Sequence, residues 1–177
     1  MSIPNPLLFI ITGSRGSGKT SFCKRMVEAA REAGWQVAGL LSNPVFEGSQ
    51  RVAIHAEDLR GGSSRQLAIR SDKPTPGSQH WKFDDAVITW GNEVLEASTP
   101  CDLLVIDELG PLELERGEGW QSGLAAVDSG QYAIALVVVR AELLGEVLLR
   151  FDEANLVEID TPEDSARKAR ILTEQLF

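Results

Sequence analysis

FIITGSRGSGKTSF, residues 9–22, passes from an apolar run into a loop with three glycines and a lysine, then into a stretch with helical spacing. Within it GSRGSGKT, residues 13–20, fits G-x-x-x-x-G-K-[ST] between a predicted buried strand and a helix, the context that motif requires. From average composition a chance match in a chain of 177 residues is on the order of 1% before that context is demanded. The glycines let the backbone curl so that successive N–H groups point inward, and a helix N-terminus adds partial positive charge where an anion would sit. Gly13, Ser14, Arg15, Gly16, Ser17, Gly18, Lys19, Thr20 and Ser21 are therefore the candidate phosphate-binding residues. Lys19 reaches for the β- and γ-phosphates, and the Thr20 hydroxyl is placed to ligate Mg²⁺. Arg15, at the loop tip, either touches phosphate or is solvated.

Working outward, residues 7–12 read as a strand buried on both faces, and Phe22, Met26, Val27, Ala30 and Ala33 mark a helix that Gly34 stops. WQVAGLLS, residues 35–42, reads as the next strand. From residue 43 to 76 the turn signals NP, EGS, RGGSS and KPTPG separate short alternating stretches, RVAIHAEDL and RQLAIR, which predicts an antiparallel hairpin or meander. Helical spacing returns over residues 83–98, and a further helix is expected over about residues 119–128. YAIALVVV, residues 132–139, is a strong strand, LVEID supplies the last one, and Thr161, Pro162 and Asp164 mark the start of a C-terminal helix. Strands alternating with helices predict a three-layer α/β fold of the P-loop type: a mostly parallel central sheet, covered on both faces, with the hairpin as an antiparallel addition. The whole chain, residues 1–177, is expected to form a single domain.

CDLLVIDELG, residues 101–110, is a second apolar strand that ends in adjacent carboxylates, resembling a Walker B strand. Asp107, expected at the carboxyl end of a strand next to the loop-bearing strand, is the candidate holder of the Mg²⁺ shell. Glu108 is the candidate to orient or deprotonate a water near the γ-phosphate. Arg140 follows a further apolar strand and reads either as a cis arginine finger or sensor or as an ordinary surface ion-pair partner. Glu113 and Glu115 flank Leu114 in an expected loop beside the site.

Composition narrows the partners. The 17 Lys and Arg against 26 Asp and Glu give a formal charge of −9, and no Lys/Arg cluster could track a phosphodiester backbone, so long nucleic acid is not an expected partner. The N-terminal apolar run is too short for a membrane span and flows into glycines, which predicts a cytoplasmic chain. Cys23 and Cys101 read as buried, reduced thiols, and His55 and His80 as structural or solvated rather than as ligands. No [NT]-K-x-D and no L-S-G-G-Q occurs, and no arginine-rich lid lies between residues 110 and 140.

In order, ITGSRGSGKTSF, GWQVAGLLSNPV, RVAIHAEDL, LVIDELGPLEL and YAIALVVVR resemble the landmarks of the small P-loop nucleoside-triphosphatase family, which includes the thermophile and human cancer-related nucleoside triphosphatases. The resemblance implies Mg²⁺-dependent hydrolysis of ATP, GTP and other nucleoside triphosphates to diphosphates, with broad base tolerance and slow turnover. It also implies catalytic roles for Lys19 and Glu108, metal ligation by Thr20 and Asp107, and an accessory role for Glu113. Two other readings of the residues stand beside hydrolysis: a phosphotransferase for a small acceptor, and a nucleotide-binding adaptor whose nucleotide state controls a protein partner.

Overall fold

The computed structural model describes residues 5–73, 80–114 and 116–177. Part of the predicted KPTPG turn and Glu115 lie outside them. β1 (Leu7–Thr12) leads through the glycine loop into α1 (Lys19–Glu32), then β2 (Val37–Glu47), β3 (Gln50–Asp58), β4 (Ser64–Arg70), β5 (Trp81–Phe83) and α2 (Asp85–Glu96). β6 (Cys101–Leu109), a short α3 (Pro111–Leu114), α4 (Gln121–Asp128) and β7 (Tyr132–Val139) follow, and then a 3₁₀ turn (Ala141–Leu143), α5 (Leu144–Arg150), β8 (Asn155–Glu158) and α6 (Pro162–Leu176). Among the described residues the eight strands form one sheet in the order β5-β4-β3-β2-β6-β7-β1-β8.

The pairings β2–β6, β6–β7, β7–β1 and β1–β8 are parallel, and β2–β3, β3–β4 and β4–β5 are antiparallel. Side chains alternate across the parallel part, which builds two separate cores. Phe9 and Ile11, Leu103 and Val105, and Ile134, Leu136 and Val138 pack with Phe22, Met26, Val27 and Ala169 of α1 and α6. Ile10, Leu104, Ile106, Ala135 and Val137 pack on the other face with Val87, Leu95, Leu124 and Val147 of α2, α4 and α5. This is the expected three-layer arrangement, and it explains why these strands read as unbroken apolar runs.

The expectations for Asp107 and Phe83 need correction. Asp107 is not on the strand next to β1, because β7 lies between β6 and β1. The antiparallel addition is, of the two expected forms, the meander: β2 pairs with β6 only over Val37–Leu40, then continues to Glu47 with β3 alone beside it. Pro44 is tolerated there because, past Leu40, one edge of β2 no longer needs a ladder N–H. Phe83 ends β5 instead of starting α2. The helix is capped by Asp84, whose carboxylate accepts from the N–H groups of Ala86 and Val87. Thr161 caps α6 as expected, accepting from the Asp164 N–H at 3.1 Å. Cys23 and Cys101 are free, buried thiols. Among the described residues no helix is long and apolar enough to cross a membrane.

Candidate active site

The carboxyl ends of β1, β7, β6 and β2 define one edge of the sheet, and the candidate residues gather there. After Thr12 the chain turns at Gly13 (φ 143°), where a Cβ would stand 2.1 Å from the Ile159 carbonyl oxygen, so only glycine lets the loop pass so close to the end of β8. Gly18 (φ 102°) is the N-cap of α1 and brings no side-chain cap. The first-turn amides of α1 therefore have no acceptor of their own, an arrangement that favours an anion. The Ser165 hydroxyl donates to the Gly18 carbonyl at 2.8 Å, tying α6 beneath the loop. Ser14, Arg15 and Gly16 are exposed at the loop tip, and Ser21 is exposed on the first turn of α1. Ser17 is buried, with an Oγ that has no partner among the described residues.

Lys19 Nζ donates to the carbonyls of Gly13 and Ser14 at 2.8 and 3.0 Å, so its ammonium is folded back over the loop. Thr20 Oγ1 donates to Asp107 Oδ2 at 2.9 Å across 87 residues of sequence. The Ser42 N–H reaches the same oxygen at 3.3 Å, and the Ser42 hydroxyl donates to the Asp107 backbone carbonyl. Asp107 is thus held by two strands and a helix, and only 2% of it is exposed. Burial, and next the charge of Glu108, push its carboxyl up to about 7; the hydrogen bonds from Thr20 and Ser42 and the charge of Lys19 oppose that shift.

Hard oxygen donors from a threonine and a carboxylate suit Mg²⁺, which takes few protein ligands and completes its shell with phosphate and water. Among the described residues no group of three or more His, Cys, Asp and Glu side chains could hold a metal. The Thr20–Asp107 pair does not require one.

Glu108 pairs with Arg140, Oε1 to Nε at 2.5 Å, at the mouth of the site where their side chains are 30% and 50% exposed. The pair exists because β7 separates β6 from β1 and carries Arg140 at its end, beside Glu108. Glu113 lies in the turn of α3 rather than in a loop. One of its oxygens accepts from the Gly110 N–H at 2.7 Å and the other from the Trp120 N–H at 2.9 Å. Burial raises its carboxyl above the ordinary range, against the pull of those amides. Replacing Glu113 with Ala leaves both buried N–H groups without that acceptor, which costs about 2–4 kcal/mol. Thermal denaturation of Glu113→Ala is expected to show a midpoint lowered by roughly 5–15 °C, with a smaller drop for Glu113→Gln.

One residue the sequence reading passed over belongs to this neighbourhood. Arg51, at the start of β3, has a half-buried guanidinium 5.3 Å from the centre of the Trp81 ring. Its only sequence signal was a charge opening an otherwise alternating strand.

A glycine loop closing on a helix N-terminus, its threonine hydroxyl set on a carboxylate from a second parallel strand, defines a P-loop α/β protein. A family profile described as "NTPase" matches residues 8–168. The nucleoside-triphosphatase THEP1 of Ignicoccus hospitalis is 34% identical over 140 residues, 79% of each chain. That of Methanopyrus kandleri is 26% identical over 84% of this chain and 82% of its own. Among solved structures, that of a human cancer-related nucleoside triphosphatase superposes with a TM-score of 0.71 at 22% identity, covering 97% of this chain and 98% of that one. THEP1 from Aquifex aeolicus gives 0.64 at 19% identity, covering 96% and 99%. The chain belongs to the NTPase family, a family of nucleoside-triphosphate hydrolases.

Proposed function

We propose that the chain is a slow, Mg²⁺-dependent hydrolase that converts ATP, GTP and other nucleoside triphosphates to diphosphate and phosphate, acting in the cytoplasm as one domain. The observation that carries this reading is the Thr20–Asp107 contact, which puts the loop hydroxyl and the strand carboxylate on one point although they come from opposite sides of β7. In this reading the amides from Gly13 to Ser21 cradle the phosphates, and Lys19 leaves the Gly13 and Ser14 carbonyls to meet the β- and γ-phosphate oxygens. Thr20 and Asp107 would hold Mg²⁺, which would supply charge neutralisation to the reacting phosphates. Glu108 exchanges its contact with Arg140 for the attacking water, orients it and accepts its proton. Arg140, freed from Glu108, faces the charge that develops on the γ-phosphoryl group. Glu113 shapes the 110–120 turn through backbone amides and has no direct phosphate contact.

The test is phosphate release from ATP, GTP, CTP and UTP with Mg²⁺, with EDTA, and in Lys19→Ala. Slow release from several nucleotides, lost with EDTA and in the variant, is expected. Release that appears only on adding an acceptor would mark a phosphotransferase. Nucleotide binding with no release at all would mark an adaptor for a protein partner.

A further inference from the structure

The geometry points to Arg51 as a further nucleotide-binding residue, delivered from the β2–β3 hairpin to the γ-phosphate end of the site; this rests on the nucleotide reading given above. Ser42 fastens β2 to Asp107 through its N–H and its hydroxyl. From that anchor β2 runs on past the carboxyl edge of the parallel strands and returns as β3, with Arg51 opposite Phe46. Four residues beyond Ser42, at about 3.3 Å each, put this point roughly 13 Å out from the anchor, overhanging the edge where the phosphates are proposed to lie.

Three features of the side chain fit an anion. Its Nε is buried and has no hydrogen-bond partner among the described residues, although a buried donor ordinarily finds one. The guanidinium carbon lies over the Trp81 ring at 5.3 Å, a contact that uses none of its N–H donors. The charges it feels most, Arg15, Glu108, Asp107 and Arg140, come from the loop tip and the ends of β6 and β7. Lys19 and the arginines 15, 51 and 140 share this edge with Asp107 and Glu108, and Glu113 and Glu142 also act on Arg140. Cations from three separate segments thus meet at the edge where a triphosphate would lie.

The charges around Arg51 also select which phosphate. Asp107, Glu108 and Arg140 lie where the terminal phosphoryl group would sit, whereas β8 and α6 flank the other side of the loop at Gly13 and Gly18. Arg51 is therefore expected to discriminate triphosphate from diphosphate, which a purely structural stack on Trp81 would not do. A planar fork is also not replaced by an ammonium.

The test measures binding of a non-hydrolysable ATP analogue and of ADP, each with Mg²⁺, to the wild type, Arg51→Lys and Arg51→Ala. The expected result is a loss of ten-fold or more for the analogue in Arg51→Ala, a smaller loss in Arg51→Lys, and less than a two-fold change for ADP. If Arg51→Ala does not fold, Arg51→Lys decides alone through the same ratio. An unchanged ratio of triphosphate to diphosphate affinity, with wild-type binding intact, overturns the role of Arg51 and leaves the nucleotide site standing. A wild type that binds neither nucleotide overturns the nucleotide reading itself.

Discussion

Glu108→Gln is expected to lower kcat by about 10²–10⁴, the range for losing a positioned general base, while KM changes by less than about three-fold. The split follows from what Glu108 is proposed to touch: a water and its proton, with no contact to the nucleotide. Gln keeps the shape and one acceptor oxygen but cannot take the proton. The loss corresponds to about 3–5 kcal/mol of barrier, far more than the variant can cost the fold. Its ion pair with Arg140 lies at the exposed mouth of the site and is worth about 0–1 kcal/mol. The thermal midpoint should therefore move by no more than about 3 °C. Single-turnover phosphate release is the deciding measurement, because it isolates hydrolysis from product release. A single-turnover rate within ten-fold of wild type would remove Glu108 from the chemistry.

The Glu108–Arg140 pair also bears on why turnover is proposed to be slow. Each of these side chains neutralises the other at 2.5 Å, and Lys19 is likewise folded onto loop carbonyls. Three proposed catalytic groups are thus engaged with the protein itself and must exchange partners before reaction. Each exchange requires the phosphate or the water to compete with a contact already made.

The glycine loop and its lysine were legible because the whole motif lies within eight consecutive residues, and backbone curling depends on local sequence. β7 was legible to the residue because an eight-residue apolar run has few other uses. Strand order was not, since β1, β6 and β7 carry the same unbroken pattern and nothing in an apolar run says which neighbour it pairs with. The length of β2 was hidden by Asn43 and Pro44, which read as a stop; they are accommodated because β6 leaves that edge after Leu40. Arg51 and the buried clasp of Glu113 were hidden for the same reason as each other. Both depend on chain segments folding back over the sheet edge, and neither repeats with a period that a sequence displays.

Asp107→Asn is expected to abolish Mg²⁺-dependent turnover and, in the absence of metal and nucleotide, to make the protein more stable. Wild-type Asp107 is buried, and its carboxyl is raised from 3.8 to about 7 by burial first and by Glu108 second. A raised folded-state value means that the folded protein holds the proton more tightly than the unfolded chain. Below about pH 4 the group is protonated in both states and costs nothing. Between about pH 4 and pH 7 only the unfolded chain ionises, so stability falls as pH rises, by about 1.4 kcal/mol per unit. Above about pH 7 the folded protein carries the full cost of a buried charge, up to about 4 kcal/mol. Asn is neutral throughout and retains an oxygen for the Thr20 and Ser42 donors. In EDTA at pH 8 the variant should melt roughly 5–15 °C above wild type, with the gap closing as pH falls to 4. Adding Mg²⁺ and a non-hydrolysable triphosphate should narrow or reverse the order, because binding stabilises only the protein that can hold the metal. A variant that is less stable than wild type in EDTA at pH 8, or a gap that does not depend on pH, would mean that Asp107 is not a strained, metal-awaiting carboxylate.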